Sequence, residues 1–145
     1  MNFAGAKLLL IDAGAVLTYL RDDRPGLPWA GLWDLPGGGR EGEESPADCA
    51  LRELEEEFGL RIGAERLVWG RAFPGLTDPG RPGWFFAGRV APEEIAAIRF
   101  GHEGQHWRMM PLAEWLEHPG AVAPLQARSR LALAELGWEC GATGA

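Results

Sequence analysis

The stretch from Trp33 to Leu60 constrains this chain most, because glycines, carboxylates and apolar residues recur there at fixed intervals. Ser45 can cap a helix, Pro46 suits its first position, and Asp48 completes a Ser-x-x-Asp capping pattern. Gly59 ends the helix. At about 100° per residue, Ala47, Ala50, Leu51, Leu54 and Phe58 form one apolar stripe. Glu53, Glu56 and Glu57 fall at i, i+3 and i+4, on a face beside that stripe, while Glu55 points away. Three carboxylates on one patch raise each other's pKa unless a positive charge lies among them. A solvated acidic face is the ordinary reading of such a run. A site for Mg²⁺ or Mn²⁺ is the sharper one, since both ions favour clustered oxygen ligands.

The spacing around the helix decides between them. Gly38 is followed after five residues by Glu44, and after seven more by Arg52-Glu53-Leu54-Glu55-Glu56-Glu57-Phe58-Gly59-Leu60. This run resembles the Nudix box, G-x5-E-x7-R-E-U-x-E-E-x-G-U with U aliphatic, and every position matches. Seven specified letters coincide by chance at about one start in 10⁸. Leu35-Pro36-Gly37, just before the strict match, is also typical of that family. The rest of the chain is compatible with the family without being specific for it.

With 145 residues and 46% apolar content, the chain can bury a core without staples and reads as one domain over 1–145. A net charge of −7 argues against a nucleic-acid polymer as partner, because that needs a basic face. Cys49 and Cys140 are too far apart to form a metal or redox motif, and read as free thiols in a reducing, cytoplasmic setting. No signal peptide or membrane span is visible, since the apolar run from Leu8 ends at Asp12. One Lys against thirteen Arg reads as genome composition rather than function.

Along the chain, strands are expected over 7–11, 13–20, 65–73, 84–90 and 105–110, with loops at 22–26, 74–83 and 100–104. Residues 91–98 read as a helical turn or an irregular connection, 111–116 as a short helix, and 124–137 as the last helix. Leu125, Leu131, Leu133 and Leu136 are its apolar residues, and the tail from Cys140 to Ala145 reads as frayed. Strands interleaved with helices imply an α/β layered domain. The resemblance makes this a Nudix fold: a mixed sheet sandwiched between helices, with the box as loop–helix–loop.

The resemblance also implies a reaction. Nudix proteins hydrolyse a nucleoside diphosphate linked to another moiety, with water attacking phosphorus and divalent metal neutralising the phosphoryl oxygens. It implies metal ligands at the Gly37 carbonyl and at Glu53, Glu56 and Glu57, with Glu53 a possible base instead. Arg52, with Glu44 as partner, orients the box carboxylates; its ordinary alternative is a surface ion pair with Glu56. A further carboxylate is expected from outside the box, and Glu103, set in Gly101-His102-Glu103-Gly104, is the first choice ahead of Glu93 and Glu94. His102 and His106 carry no metal reading, because Gly104 lies between them. Cys49 reads as a space-filler near the carboxylates, and Trp33 as core. Trp29, Trp84, Phe86 and Trp107 offer aromatic faces for a base, most of them core.

A nucleotide is therefore the expected small-molecule partner, acted on by a monomer or homodimer. No separate N-terminal domain, usual in the longer ADP-sugar hydrolases, is expected. Its only tyrosine, Tyr19, precedes the box, unlike the Tyr of many dinucleoside-polyphosphate members. Pro74 is a weak sign of ADP-ribose cleavage. The leading expectation is a (d)NTP, intact or damaged, cleaved to monophosphate and pyrophosphate. ADP-ribose or another NDP-linked compound comes next, and a non-catalytic nucleotide sensor is the alternative from another class.

Overall fold

In the computed structural model, which describes residues 2–138, seven strands form one mixed sheet. Strand β1 (Gly5–Asp12) runs through its middle, because the apolar run Leu8–Ile11 has no polar face to give to solvent. It pairs in parallel with β6 (Gly83–Arg89), and β5 (Leu67–Phe73) lies outside β6 as the sheet edge. On its other side β1 changes neighbour. Its C-terminal end pairs with β2 (Ala15–Leu20) across a tight turn, whereas its N-terminal end pairs with β4 (Gly37–Gly39). Strand β2 runs on to pair with β3 (Trp33–Asp34) and with β7 (His106–Pro111). The sheet therefore forks between β4 and β2, and this fork positions the site.

Helices cover both faces. Helix α1 (Pro46–Phe58) packs Ala50, Leu54 and Phe58 against Leu8, Leu10, Leu17 and Tyr19. Burying each large side chain there stabilises the fold by roughly 1.5–3 kcal/mol. The ends of α1 are those the capping residues dictate: the Ser45 hydroxyl accepts from Asp48 N at 3.1 Å, and Gly59 takes a φ of 67°. Helices α3 (Leu112–Glu117) and α4 (Ala123–Leu136) cover the opposite face, packing Trp115, Leu125 and Leu133 against Leu9, Ile11 and Phe85. The connection after β6 is a short helix, α2 (Pro92–Ala96).

Two expectations need correction. Glu65 lies in a 3₁₀ turn, Ala64–Arg66, and not in the strand that follows. The buried face of α4 includes Arg128 and Ser129 as well as leucines, and Leu131 and Leu136 are only partly buried. Cys140 and the expected frayed tail lie outside the described residues. No helix among the described residues is long and apolar enough to cross a membrane.

Candidate active site

Strand β4 and helix α1 touch through glycine. Gly37 has a φ of 138°, and a Cβ there would lie 2.0 Å from the Ala6 carbonyl oxygen. A Cβ on Gly38 would lie 2.5 Å from the carboxyl carbon of Glu53. Only glycine lets the Glu53 carboxylate and the strand approach this closely. One turn along, the Glu57 carboxylate accepts from Gly37 N at 3.0 Å. Cys49 is buried, its Sγ 3.6 Å from the Gly38 carbonyl oxygen, and burial pushes its thiol up to about 12. It fills space, as expected.

Arg52 gathers the box carboxylates. Its guanidinium donates to both oxygens of Glu44 at 3.0 and 2.8 Å, to Glu53 at 3.2 Å, to Glu56 at 3.1 Å and to the Gly39 carbonyl at 2.8 Å. The Arg52 hydrogen bonds hold Glu44 down at about 2 despite partial burial. The contact with Glu56 is one branch of this network, so the surface-pair alternative describes only a part of it.

The three ligand candidates do not share one environment. The Glu56 side chain is 53% exposed and that of Glu53 14%, while Glu57 is buried at 8%. Burial raises Glu57 to about 8, even though the Lys7 ammonium and the Gly37 N–H pull the other way. Burial also raises Glu53, against the pull of Arg52. The patch is a gradient from solvent into the sheet fork, not a solvated face.

Glu103 is brought to this point by backbone. Arg99 N donates to the Phe58 carbonyl and Gly101 N to the Glu57 carbonyl, both at 2.8 Å, and Gln105 N donates to the Leu20 carbonyl at 2.8 Å. The loop between α2 and β7 is thus pinned to the end of α1 and the end of β2. Glu57 and Glu103 line one small cavity of about 70 Å³, together with Tyr19, Arg21 and Arg24. Glu94 is elsewhere, paired with Arg66 and capping Ala91 N. His102 and His106 are exposed, with the His106 ring 5.3 Å from that of Trp33.

The fork holds a group that sequence reading missed. The Lys7 ammonium donates to Asp34 Oδ2 at 3.0 Å, to the Leu35 carbonyl at 3.1 Å and to the Gly37 carbonyl at 3.4 Å. The same Asp34 oxygen accepts from Arg21 at 2.9 Å and from the Tyr19 hydroxyl at 3.2 Å. Burial alone would lower the Lys7 pKa, but Asp34, Tyr19 and Glu57 around it raise it above the ordinary value. Lys7 is therefore a fixed positive charge beside Glu57. Its signal in the sequence was its being the only lysine; that of Asp34 was a charge set between Trp33 and Leu35.

A second, larger cavity of about 230 Å³ opens on the α4 side of the fork. Lys7, Asp34, Gly38 and Gly39 line its inner end, with Trp29, Leu76 and Arg128 among its other walls. Trp29 holds a φ of 57°, a left-handed conformation costing on the order of 1 kcal/mol. Arg21 lines both cavities. Trp84 and Phe86 stack on each other at 5.7 Å, and Trp107 is partly buried in the α1-side core.

A hard cation fits the chemistry of this donor set, which is all oxygen: the Gly37 carbonyl with Glu53, Glu56 and Glu57. Among the described residues, no three acidic, histidine or cysteine side chains already enclose one point. Arg52 draws Glu53 and Glu56 to itself, and Gly37 N holds Glu57.

The NUDIX domain family matches residues 2–138. An octanoyltransferase of Myxococcus xanthus is 34% identical over 109 residues, covering 70% of this chain and 28% of that protein. An uncharacterized Nudix hydrolase of Pseudomonas aeruginosa is 37% identical over 105 residues, covering 66% of this chain and 60% of that one. The match thus spans less than two thirds of either relative. An RNA pyrophosphohydrolase of Rhizobium meliloti is 29% identical over 140 residues, covering 74% of this chain and 82% of that protein. Among solved structures, a MutT protein from Methanosarcina mazei Go1 has a TM-score of 0.72 at 23% identity, covering 93% of this chain and 96% of that one. A bifunctional NMN adenylyltransferase/ADP ribose pyrophosphatase from Francisella tularensis, complexed with AMP and Mn ion, has a TM-score of 0.71 at 21% identity, covering 97% and 42%. At such identities the structural likeness speaks for the fold. With every box position kept from Gly38 to Leu60 and the family match running from residue 2 to 138, the chain belongs to the Nudix hydrolase family.

Proposed function

We propose that this chain is a divalent-metal-dependent pyrophosphohydrolase that cleaves a nucleoside triphosphate to monophosphate and pyrophosphate. The observation that carries the reading is Arg21, which lines both the larger cavity and the smaller one that Glu57 and Glu103 line. A nucleoside in the first would direct its phosphates past Arg21 to the carboxylates. At about 230 Å³ the larger cavity has room for one nucleoside; sites for whole drug-sized ligands begin at roughly 300 Å³.

Water adds across a phosphoanhydride: its oxygen bonds to phosphorus, the bridging P–O bond breaks, and pyrophosphate leaves. Glu53, Glu57 and the Gly37 carbonyl would hold Mg²⁺ or Mn²⁺, with Glu56 free to join from the exposed end. The cation supplies charge neutralisation and a more acidic water. Arg21 would neutralise phosphoryl oxygens, and Glu103 would take the proton of the attacking water. Arg52 and Glu44 hold Glu53 against β4. Lys7 fixes Asp34 and the backbone at Leu35 and Gly37.

The test is a turnover panel with Mg²⁺: nucleoside triphosphates, 8-oxo-dGTP, ADP-ribose, diadenosine polyphosphates and 5′-triphosphorylated RNA. Fastest release of monophosphate and pyrophosphate from a triphosphate nucleotide is expected. Faster cleavage of ADP-ribose overturns the substrate choice, and no turnover of any member overturns catalysis in favour of a sensor. The RNA is included because the Rhizobium meliloti relative is named for that activity; the net charge of −7 speaks against it here.

A further inference from the structure

The outer part of the larger cavity holds a charge that this reaction does not use. Arg128, on α4, is buried, with 9% of its surface exposed. Its Nη2 donates to the Pro74 carbonyl at 2.7 Å, and its guanidinium lies 4.8 Å from the centre of the Phe73 ring. No carboxylate among the described residues is within ion-pair distance of it, whereas Lys7 and Arg21 both share Asp34. A guanidinium carries five N–H donors in a planar fork, and Pro74 takes one. A charge buried without a partner is costly, and a ligand that completes it removes the cost.

The sheet beneath Arg128 is bare. Gly83, Gly5 and Gly39 stand side by side on β6, β1 and β4. A Cβ on Gly83 would meet Arg128 Nη1 at 3.8 Å and the Gly5 carbonyl at 4.0 Å, and one on Gly39 only the Ala4 carbonyl at 3.9 Å. Packing does not demand glycine at either place; the room above them is left open. Two strand spacings, roughly 10 Å, separate the Arg128 end from the box end. A nucleoside covers that reach from base to 5′ phosphate.

We infer that Arg128 reads the base of the bound nucleotide, and that the base is guanine with an unmodified N7. The inference rests on the nucleotide reading above. Guanine presents O6 and N7 as two neighbouring in-plane acceptors, which a guanidinium fork meets with paired hydrogen bonds. Adenine places an amino donor beside N7, cytosine offers an amino group, and thymine has one carbonyl beside a methyl. Hypoxanthine keeps both acceptors. Oxidation at C8 turns N7 into an N–H, so that donor faces donor and the pair is lost.

The test is calorimetric binding of nucleoside monophosphates to the metal-free protein, a readout independent of turnover. GMP and IMP bind alike, and at least about fivefold more tightly than AMP, 7-deaza-GMP or 8-oxo-GMP. Arg128→Met brings GMP to the level of AMP. Arg128→Lys, which keeps the charge but not the fork, also loses most of the preference. Gly39→Val fills the floor two strands away from Gly83, where an added Cβ meets only the Ala4 carbonyl, and weakens GMP and AMP together. AMP binding as tightly as GMP in the parent protein, or a preference that survives in Arg128→Lys, overturns the inference. Should Arg128→Met fail to fold, the lysine and valine variants still decide. Failure of the hydrolysis reading would appear in the turnover panel and leave these binding constants as they stand.

Discussion

Arg52 and Arg128 both project from helices packed on the sheet, on opposite faces, and they stand in contrasting surroundings. Four carboxylates, those of Glu41, Glu44, Glu53 and Glu56, lie within 3.5 Å of the Arg52 guanidinium. The Glu44 hydrogen bonds, with the other carboxylates, raise its pKa above the ordinary arginine value. Arg128 has a carbonyl and an aromatic ring, and burial pulls its pKa down. A cation ringed by carboxylates serves as scaffold, since its donors are spent on holding them in place. A cation left in a cavity with spare donors is a receptor. The box face of the molecule is organised by the first arrangement and the α4 face by the second.

The contrast can be broken most sharply on the box side. Chelation by EDTA should reduce turnover to background, and Glu53→Gln or Glu57→Gln should each lower kcat by about 10³-fold or more while the fold persists. Parent-like turnover in EDTA, or in both variants, would remove the carboxylates from the chemistry.

Next come the two arginines. Arg52→Gln should lower kcat by about 10- to 100-fold and weaken Mg²⁺ binding, as loss of a group that orients metal ligands does. Arg128→Met should raise KM for a guanine nucleotide and leave kcat within about twofold, because it removes binding made equally in ground and transition states. If both variants moved KM alone, the distinction between scaffold and receptor would fail.

The loop carboxylates sharpen the box side further. Glu103→Gln should cost about tenfold or more in kcat. Glu94→Gln, remote and paired with Arg66, should leave kcat unchanged and lower Tm slightly. Equal rates for the two variants would place the proton acceptor within the box.

The smallest effect concerns stability without metal. Glu57 has a folded pKa of about 8 against an ordinary 4.5. Between these values the folded protein keeps a proton that the unfolded chain has lost, so unfolding releases it and stability falls as pH rises. Glu57→Gln has no such proton. Its Tm in EDTA should exceed that of the parent by a margin that widens from pH 5 to pH 8, reaching a few degrees. A margin that is flat or narrows over this window would place Glu57 in solvent.

Much of the box side was legible in the sequence because it is built from short-range chemistry. Capping at Ser45, the stop at Gly59 and the stripe Ala50, Leu54, Phe58 fix α1 within a few residues of each other. Helical periodicity then places Glu53, Glu56 and Glu57, and the Gly38-to-Leu60 spacing carried the family. Glu103 could be picked out as a carboxylate between loop glycines, though its place beside Glu57 depends on backbone bonds to Phe58, Glu57 and Leu20.

What the sequence by itself determined, then, is the family, the layered α/β class and the helix that carries the box carboxylates. Tertiary structure alone decided that Glu57 is buried and raised while Glu56 stays in water, since periodicity gives a direction around a helix and not what lies opposite. It alone joined Lys7 to Asp34, 27 residues away, through a fork that exists because β1 exchanges β2 for β4 midway. It also set Arg128 against Pro74, 54 residues away, over a floor of glycines from three strands. Those contacts are made by strand order and register, and residues so far apart in the chain meet only once the sheet has closed around them.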